Sequence, residues 1–370
     1  MLLFCCVLVS TSLSVAQEPG VERDEKVLVE EIRLNISAFS TGGHLVLDLK
    51  KEDLVIIENG RLQHANIVRR VPANVLIMLD TGGTMRGNLS ATRSAAKTLI
   101  GSLSDGDSVA VFQISDKPQM IVDWTEDKAA AAEMVGRQLA FGRRTGLYRA
   151  LNGARGYFPE QKKENRHLVL ITAGIDSFND EKAKKDALSD LLSTDINVHV
   201  ISYTHMQKGT VSQQKEILRE GEWKPRRLPE EIVETLPGPK RPDLPPEERD
   251  VGQREMAKMP RLAGVTLDFE RLMNARKSSK ELDSAEAFLE SVSTDTNGLF
   301  LLPETPGEMD EKAAALAVVI DSNWVIAYTP KNALGDAPPG EVRNIEVSSK
   351  RSGVHIQASR KLIVKGISSP

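Results

Sequence analysis

The stretch LIMLDTGGTM, residues 76–85, closes an apolar run with an acid and then sets two glycines and two hydroxyls in the next four positions. With Asn74 and Val75 ahead of it, the run reads as a strand covered on both faces, as in a parallel sheet with helices on either side. In open sheets of that kind, ligands bind beyond the carboxyl ends of the strands. Asp80 stands at such an end. It is open to three readings: a cation ligand, a catalytic acid, or the acceptor of a tight turn.

The chain on the carboxyl side continues the same rhythm. Leu89, Ala95, Ala96, Leu99, Ile100 and Leu103 recur at helical spacing, and SVAVFQI (108–114) is the next strand. Helices are expected over 127–141, with Asp127 as the cap, over 146–158 and over 181–193. HLVLITAG (167–174) and INVHVISYT (196–204) read as strands. Alternation of strand and helix predicts an open, mainly parallel sheet with helices on both faces. Further on, 266–293 and 307–321 read as helices, with GLFLLP a short strand between them.

The two ends of the chain read differently. IRLNI, HLVLDL and LVIIENG within residues 26–70 look like strands, and Asn59-Gly60 marks a hairpin. WVIAYTP, VRNIEV and GVHIQAS, after Trp324, look like strands again. Each flank alone is short for independent folding. The expectation is that the two form one β module, with the α/β domain inserted between them. Between Pro225 and Pro246 fall seven of the chain's eighteen prolines, amid mixed charge. Residues 206–262 are therefore expected to be an exposed, partly disordered insertion.

Composition narrows the function. The chain of 370 residues is 27% charged and 40% hydrophobic with a net charge of −4. There is no Lys/Arg stripe with interleaved aromatics, so nucleic acid is not an expected partner. The first sixteen residues carry no charge, have an apolar centre and end Ser14-Val15-Ala16, which reads as a secretory signal cleaved before Gln17. About 20 apolar residues are needed to span a bilayer, and no segment reaches that. The protein is expected to be exported, to a periplasm or to the exterior. Cys5 and Cys6 both lie in the leader, so the mature chain would have no disulfide and no thiolate chemistry.

Three segments then carry a resemblance. VLIMLDTGGTM, GRRTGLYRAL and LVLITAGIDS, in this order and spacing, resemble the three loops of a von Willebrand factor type A (VWA) domain. The flanks LKKEDLVIIENGRLQHANIVRR and WVIAYTPKN…GEVRNIEVSSKRSGVHIQASR resemble a bacterial subgroup, the acidobacterial-type VWFA-related proteins. The resemblance covers roughly residues 27 to 365 apart from the insertion. It implies a Rossmann-like, doubly wound α/β domain over 72–322, a β segment over 17–71 and another over 323–370.

In that family, loop one is Asp-x-Ser-x-Ser, loop two supplies a Thr and loop three an Asp. Together they hold Mg²⁺ or a similar cation, which accepts a carboxylate from a protein partner. Carried over, Asp80, Thr84 and Thr145 match metal ligands. Gly82 stands where a Ser is expected, and Ala173 where the third-loop Asp is expected. Mg²⁺ needs about six oxygens, so the site is expected to be degenerate. In that case Asp80 caps the following helix or orders the Gly82-Gly83 turn. Asp176 is expected to be a solvated loop acid, and Arg143 and Arg144 solvated side chains near the strand ends.

An enzyme reading competes. Asp-x-Asp-x-Thr at a strand end marks haloacid-dehalogenase-like phosphatases, but Gly82 replaces the proton-transfer acid, which removes about 10²–10⁴ in rate. No Gly-x-Ser-x-Gly elbow or phosphate-binding loop is present. His199 is expected to be a packed strand residue. The expected function is that of a non-enzymatic protein-interaction protein, with a structural or assembly component of the cell envelope as the alternative and a phosphatase using Asp80 as a lesser one.

Overall fold

A computed structural model describes residues 31–85, 87–116, 118–162, 164–209, 262–356 and 358–365. The leader lies outside the described residues, as does the proline-rich insertion except residues 206–209 and 262.

The central sheet has six strands. They are β5 (Asn74–Asp80), β6 (Ser108–Ile114), β7 (Gln119–Thr125), β8 (Arg166–Thr172), β9 (Asn197–Ser202) and β10 (Phe300–Leu301), in the order β10-β9-β8-β5-β6-β7. All neighbours are parallel except β6 and β7. β5 thus lies between β8 and β6, which explains its unbroken apolar run. Leu76 and Met78 face one core, while Val75, Ile77 and Leu79 face the other. Helices α1 (Leu89–Ser102), α2 (Lys128–Gln138) and α6 (Pro306–Asp321) cover one face through Leu99, Val135 and Leu316. Helices α3 (Leu147–Gly153), α4 (Glu181–Leu192) and α5 (Leu262–Asp295) cover the other through Leu151, Leu191 and Leu289. Asp127 caps α2 by accepting from the Ala130 N–H, and Asp180 caps α4 in the same way from Ala183. This is the mainly parallel, doubly wound α/β fold that the strand-helix alternation predicts.

Strands from the two flanks are interleaved in two small sheets. β1 (Ile32–Ser40), β4 (Ile67–Arg69), β11 (Asn323–Tyr328) and β13 (Val354–Ile356) form β13-β1-β11-β4. β2 (Leu54–Glu58), β3 (Arg61–Gln63), β12 (Val342–Ser349) and β14 (Ala358–Ile363) form β14-β12-β2-β3. Ile36, Ile56, Trp324, Ile345 and Tyr328 share one core, so neither flank buries its apolar face without the other. Asn59 and Gly60 both have positive φ (47° and 77°), the backbone that a two-residue hairpin between β2 and β3 requires. The chain enters and leaves the α/β domain side by side. Arg69 pairs with Val325 across β4 and β11, and Arg70 donates to the Asp321 carbonyl at 2.6 Å.

The structure corrects two local readings and adds a strand that the sequence reading did not place. HLVLDL forms no strand; it makes one isolated bridge, Phe39 with Leu45, and buries Val46 and Leu49 by packing. QMIVDWT, which carries no clear period, is the antiparallel edge strand β7. The helix expected over 146–158 ends at Gly153 and continues as a 3-10 turn, Ala154–Tyr157.

Candidate functional site

Asp80 ends β5 and is fully buried. Both of its oxygens accept from neighbouring donors. Oδ1 accepts from the Gly82 N–H at 3.0 Å and from the Thr145 hydroxyl at 2.8 Å, and Oδ2 accepts from the Thr172 hydroxyl at 2.7 Å. Burial is the largest influence on the carboxyl and pushes its pKa above the ordinary aspartate range. The Gly82 N–H and the Thr172 and Thr145 hydroxyls oppose that shift, and the nearby Asp176 carboxylate adds to it.

The loops around Asp80 are fastened to one another. Thr81 N–H donates to the Ile114 carbonyl at 3.0 Å, and its own carbonyl accepts from Gly142 N–H at 2.8 Å. Thr145 N–H donates to the Ser177 hydroxyl at 2.9 Å, and Ser177 N–H returns to the Thr145 carbonyl at 2.8 Å. Close approach at Gly82 is the tightest feature. A Cβ there would lie 1.8 Å from Thr145 Oγ1 and 2.9 Å from the Arg144 carbonyl carbon. The Thr145 hydroxyl fills the space that any side chain at residue 82 would need.

Of the residues singled out by sequence, Asp80, Gly82 and Thr145 come together. Ala173 is fully buried in the core shared with α1, α2 and α6. The backbone of Thr84 lies in the turn Gly83–Met85, and its side chain lies outside the described residues. Asp176 is not a solvated loop acid. It is buried, and it accepts from Tyr148 N–H in the first turn of α3 at 3.2 Å and from Phe178 N–H at 2.7 Å. Thr172 escaped the sequence reading. Only the strand register places it: Leu79 pairs with Ile171 across β5 and β8, which sets Thr172 level with Asp80.

The rim of this edge is basic and apolar. Arg143, Arg144 and Arg149 are exposed, and Phe141 and Phe178 are 40% and 39% exposed. The Arg149 and Arg144 guanidiniums lie 4.8 Å and 5.9 Å from the centre of the Phe178 ring. Among the described residues no group of three or more His, Cys, Asp or Glu side chains is placed to hold a metal ion.

His199 is a packed strand residue, as its setting in INVHVISY suggests, but it has a partner. Leu299 N–H donates to His199 Nδ1 at 3.1 Å, so the His199 proton sits on Nε2 and faces His167 Nδ1 at 3.1 Å. His167 Nε2 then donates to Asn165 Oδ1 at 2.9 Å, and Asn165 Nδ2 to the Val71 carbonyl at 2.8 Å. Burial lowers the His199 pKa to about 3. Burial, with His199 beside it, lowers that of His167 well below the usual value.

Residues 75–175 match the family model of the von Willebrand factor type A domain. No curated protein sequence matches the chain. Among solved structures, the conserved hypothetical protein BatB from Bacteroides thetaiotaomicron is similar at 20% identity and a TM-score of 0.30. The match covers 35% of this chain and 66% of that one. A von Willebrand factor type A protein from Catenulispora acidiphila is similar at 12% identity and a TM-score of 0.42, covering 91% and 74%. An aerotolerance-related membrane protein from Bacteroides fragilis is similar at 15% identity and a TM-score of 0.38, covering 67% and 98%. No helix among the described residues is long and apolar enough to cross a membrane.

Proposed function

We propose that this chain, which carries a von Willebrand factor type A domain, is an exported, non-enzymatic protein that binds another protein through the carboxyl edge of its central sheet, without a metal ion. The observation that carries the metal-free reading is the place of the Thr145 hydroxyl. It lies 1.8 Å from where a Cβ at residue 82 would be, and it donates to Asp80 instead of facing outward. A divalent cation needs oxygens with free lone pairs. Asp80 already accepts from three donors and keeps at most one free lone pair, on Oδ2, while Gly82 offers no hydroxyl and Ala173 no carboxylate. These residues do not fit Mg²⁺.

The same burial argues against a phosphatase. A nucleophilic Asp80 must meet its substrate, and this one is fully enclosed, with glycine where a proton-transfer acid is needed. Export rests on the uncharged leader. Mass spectrometry of the native protein should find Gln17 at the start, and an intact Met1 in a cytoplasmic fraction contradicts export.

The second reading, assembly through the flanks, has its own observation. Leu62 and Val342 are 45% and 46% exposed in the sheet β14-β12-β2-β3. One experiment separates the two. Partner capture from an envelope fraction, in EDTA, should be lost in Phe141→Ser and kept in a Leu62→Asp/Val342→Asp variant. The reverse result favours assembly through the flanks.

A further inference from the structure

We propose that Arg144 and Arg149, with Arg143 beside them and Phe178 as their ledge, form a docking site for an acidic peptide segment of a protein partner. This rests on the reading of the carboxyl edge as a metal-free binding face, and it names the chemistry of what binds there. Side-chain guanidiniums supply the positive charge at an edge where the inner carboxylate is enclosed.

Little of this charge is spent within the protein. None of the three arginines forms an ion pair with a described residue. Asp116 accepts the backbone N–H of Arg143 on Oδ1 at 2.9 Å and also feels the positive charge of that side chain, so Arg144 and Arg149 carry the free charge of the rim. The arginines are also held in place. Arg144 precedes Thr145, which is tied to Asp80, and Phe178 follows Ser177, which is tied to Thr145 on both sides. Arg149 rides on α3, whose first turn Asp176 engages. A guanidinium over an aromatic face keeps its N–H edges free, and those edges match a carboxylate in a bidentate pair. Two such groups sharing one ring, with that ring partly exposed, suit two acidic side chains beside an apolar one. With a net charge of −4 over the whole chain, the patch is local. That favours a short acidic segment over the repeating phosphates of a nucleic acid or a lipid surface.

The test uses the full chain in EDTA and a hexaglutamate peptide as probe, with hexalysine, a single-stranded oligonucleotide and phosphatidylglycerol vesicles as comparisons. Hexaglutamate should shift the Arg144 and Arg149 side-chain N–H resonances and the Phe178 ring protons. Binding should weaken as salt is added. Arg144→Gln and Arg149→Gln should each weaken it about threefold, and Arg144→Glu with Arg149→Glu by about tenfold or more. Arg144→Lys and Arg149→Lys should keep only part of it, since an ammonium lacks the bidentate geometry. All of these side chains are exposed, so melting temperatures should stay put. Equal binding to the double Glu variant, no binding to hexaglutamate at all, or tighter binding to the oligonucleotide or vesicles overturns the proposal. If the double Glu variant still captures the partner that Phe141→Ser loses, the acidic-peptide site falls while the binding face stands. If neither variant affects capture, both fall.

Discussion

The two ends of the central sheet use buried polar groups for opposite purposes. At the carboxyl end, the polar groups of three loops turn inward on Asp80, and the arginines left at the rim face solvent. At the amino end, buried polar groups join the β module to the α/β domain. Asn35 of β1 donates to the carbonyls of Arg166 and Asp195, both at 3.2 Å, and its own carbonyl accepts from Asn297 at 2.8 Å. Arg360 of β14 is buried and donates to the carbonyls of Thr194, Ile196 and Thr296, just past the ends of α4 and α5. Burial lowers its pKa to about 10, so it stays charged at neutral pH. Its partners are carbonyls at helix C-termini, where a cation is favoured. One end is thus closed on itself below a free rim, and the other is consumed by architecture.

The largest expected effect tests the amino end. Arg360→Leu leaves three carbonyls unpaired and should cost about 5 kcal/mol, measured by denaturant unfolding. A cost below ~1 kcal/mol would mean that water replaces the guanidinium and that the joint is wet.

Acid should loosen the same end. His167 and His199 are buried neutral, with pKa values lowered well below and to about 3 respectively. The unfolded chain takes up their protons near pH 6.5 while the folded one does not, so stability is full above that pH and falls as pH falls. From pH 7 to 5 His199 alone should cost about 2 kcal/mol, and His167 adds to that in the same direction. A His167→Leu/His199→Leu variant should lose that part of the pH slope, and an unchanged slope contradicts the assignment.

At the carboxyl end, Asp80→Ala strands three buried donors and should cost about 3 kcal/mol, with or without added metal. Gly82→Ser should cost less, about 2 kcal/mol, because it pushes the Thr145 hydroxyl aside. Pairing it with Thr145→Ala should recover part of that loss. If Gly82→Ser is neutral, the close approach of Thr145 to residue 82 is softer than its geometry implies.

How much of this was legible in the sequence differs between the two ends. The run at 75–79 and the helical spacing after it announced the central sheet, because strands covered on both faces leave no polar period. β7 did not announce itself: only Ile121 and Val122 are buried in it, and its pairing with β6 shifts register twice. HLVLDL misled in the other direction, since Val46 and Leu49 reach the core without a ladder, with Trp324 Nε1 donating to the Val46 carbonyl. Asp80, Gly82 and Thr145 were legible as a loop pattern. Thr172, Asp176 and the histidine pair were not, because each depends on which residues the strand register and loop packing bring level. Arg360 in ASRKLI looks like any exposed strand residue until two helix ends close over it.

The metal titration tests the central claim most directly. Thermal unfolding should be followed with millimolar Mg²⁺ or Mn²⁺ and again in EDTA. A ligand at 100 times its dissociation constant stabilises by about 2.7 kcal/mol, a shift of several degrees for a chain of this length. The account predicts no shift in the unmodified protein. A clear metal-dependent rise, abolished by Asp80→Ala, would contradict it and return the carboxyl edge to cation-mediated binding.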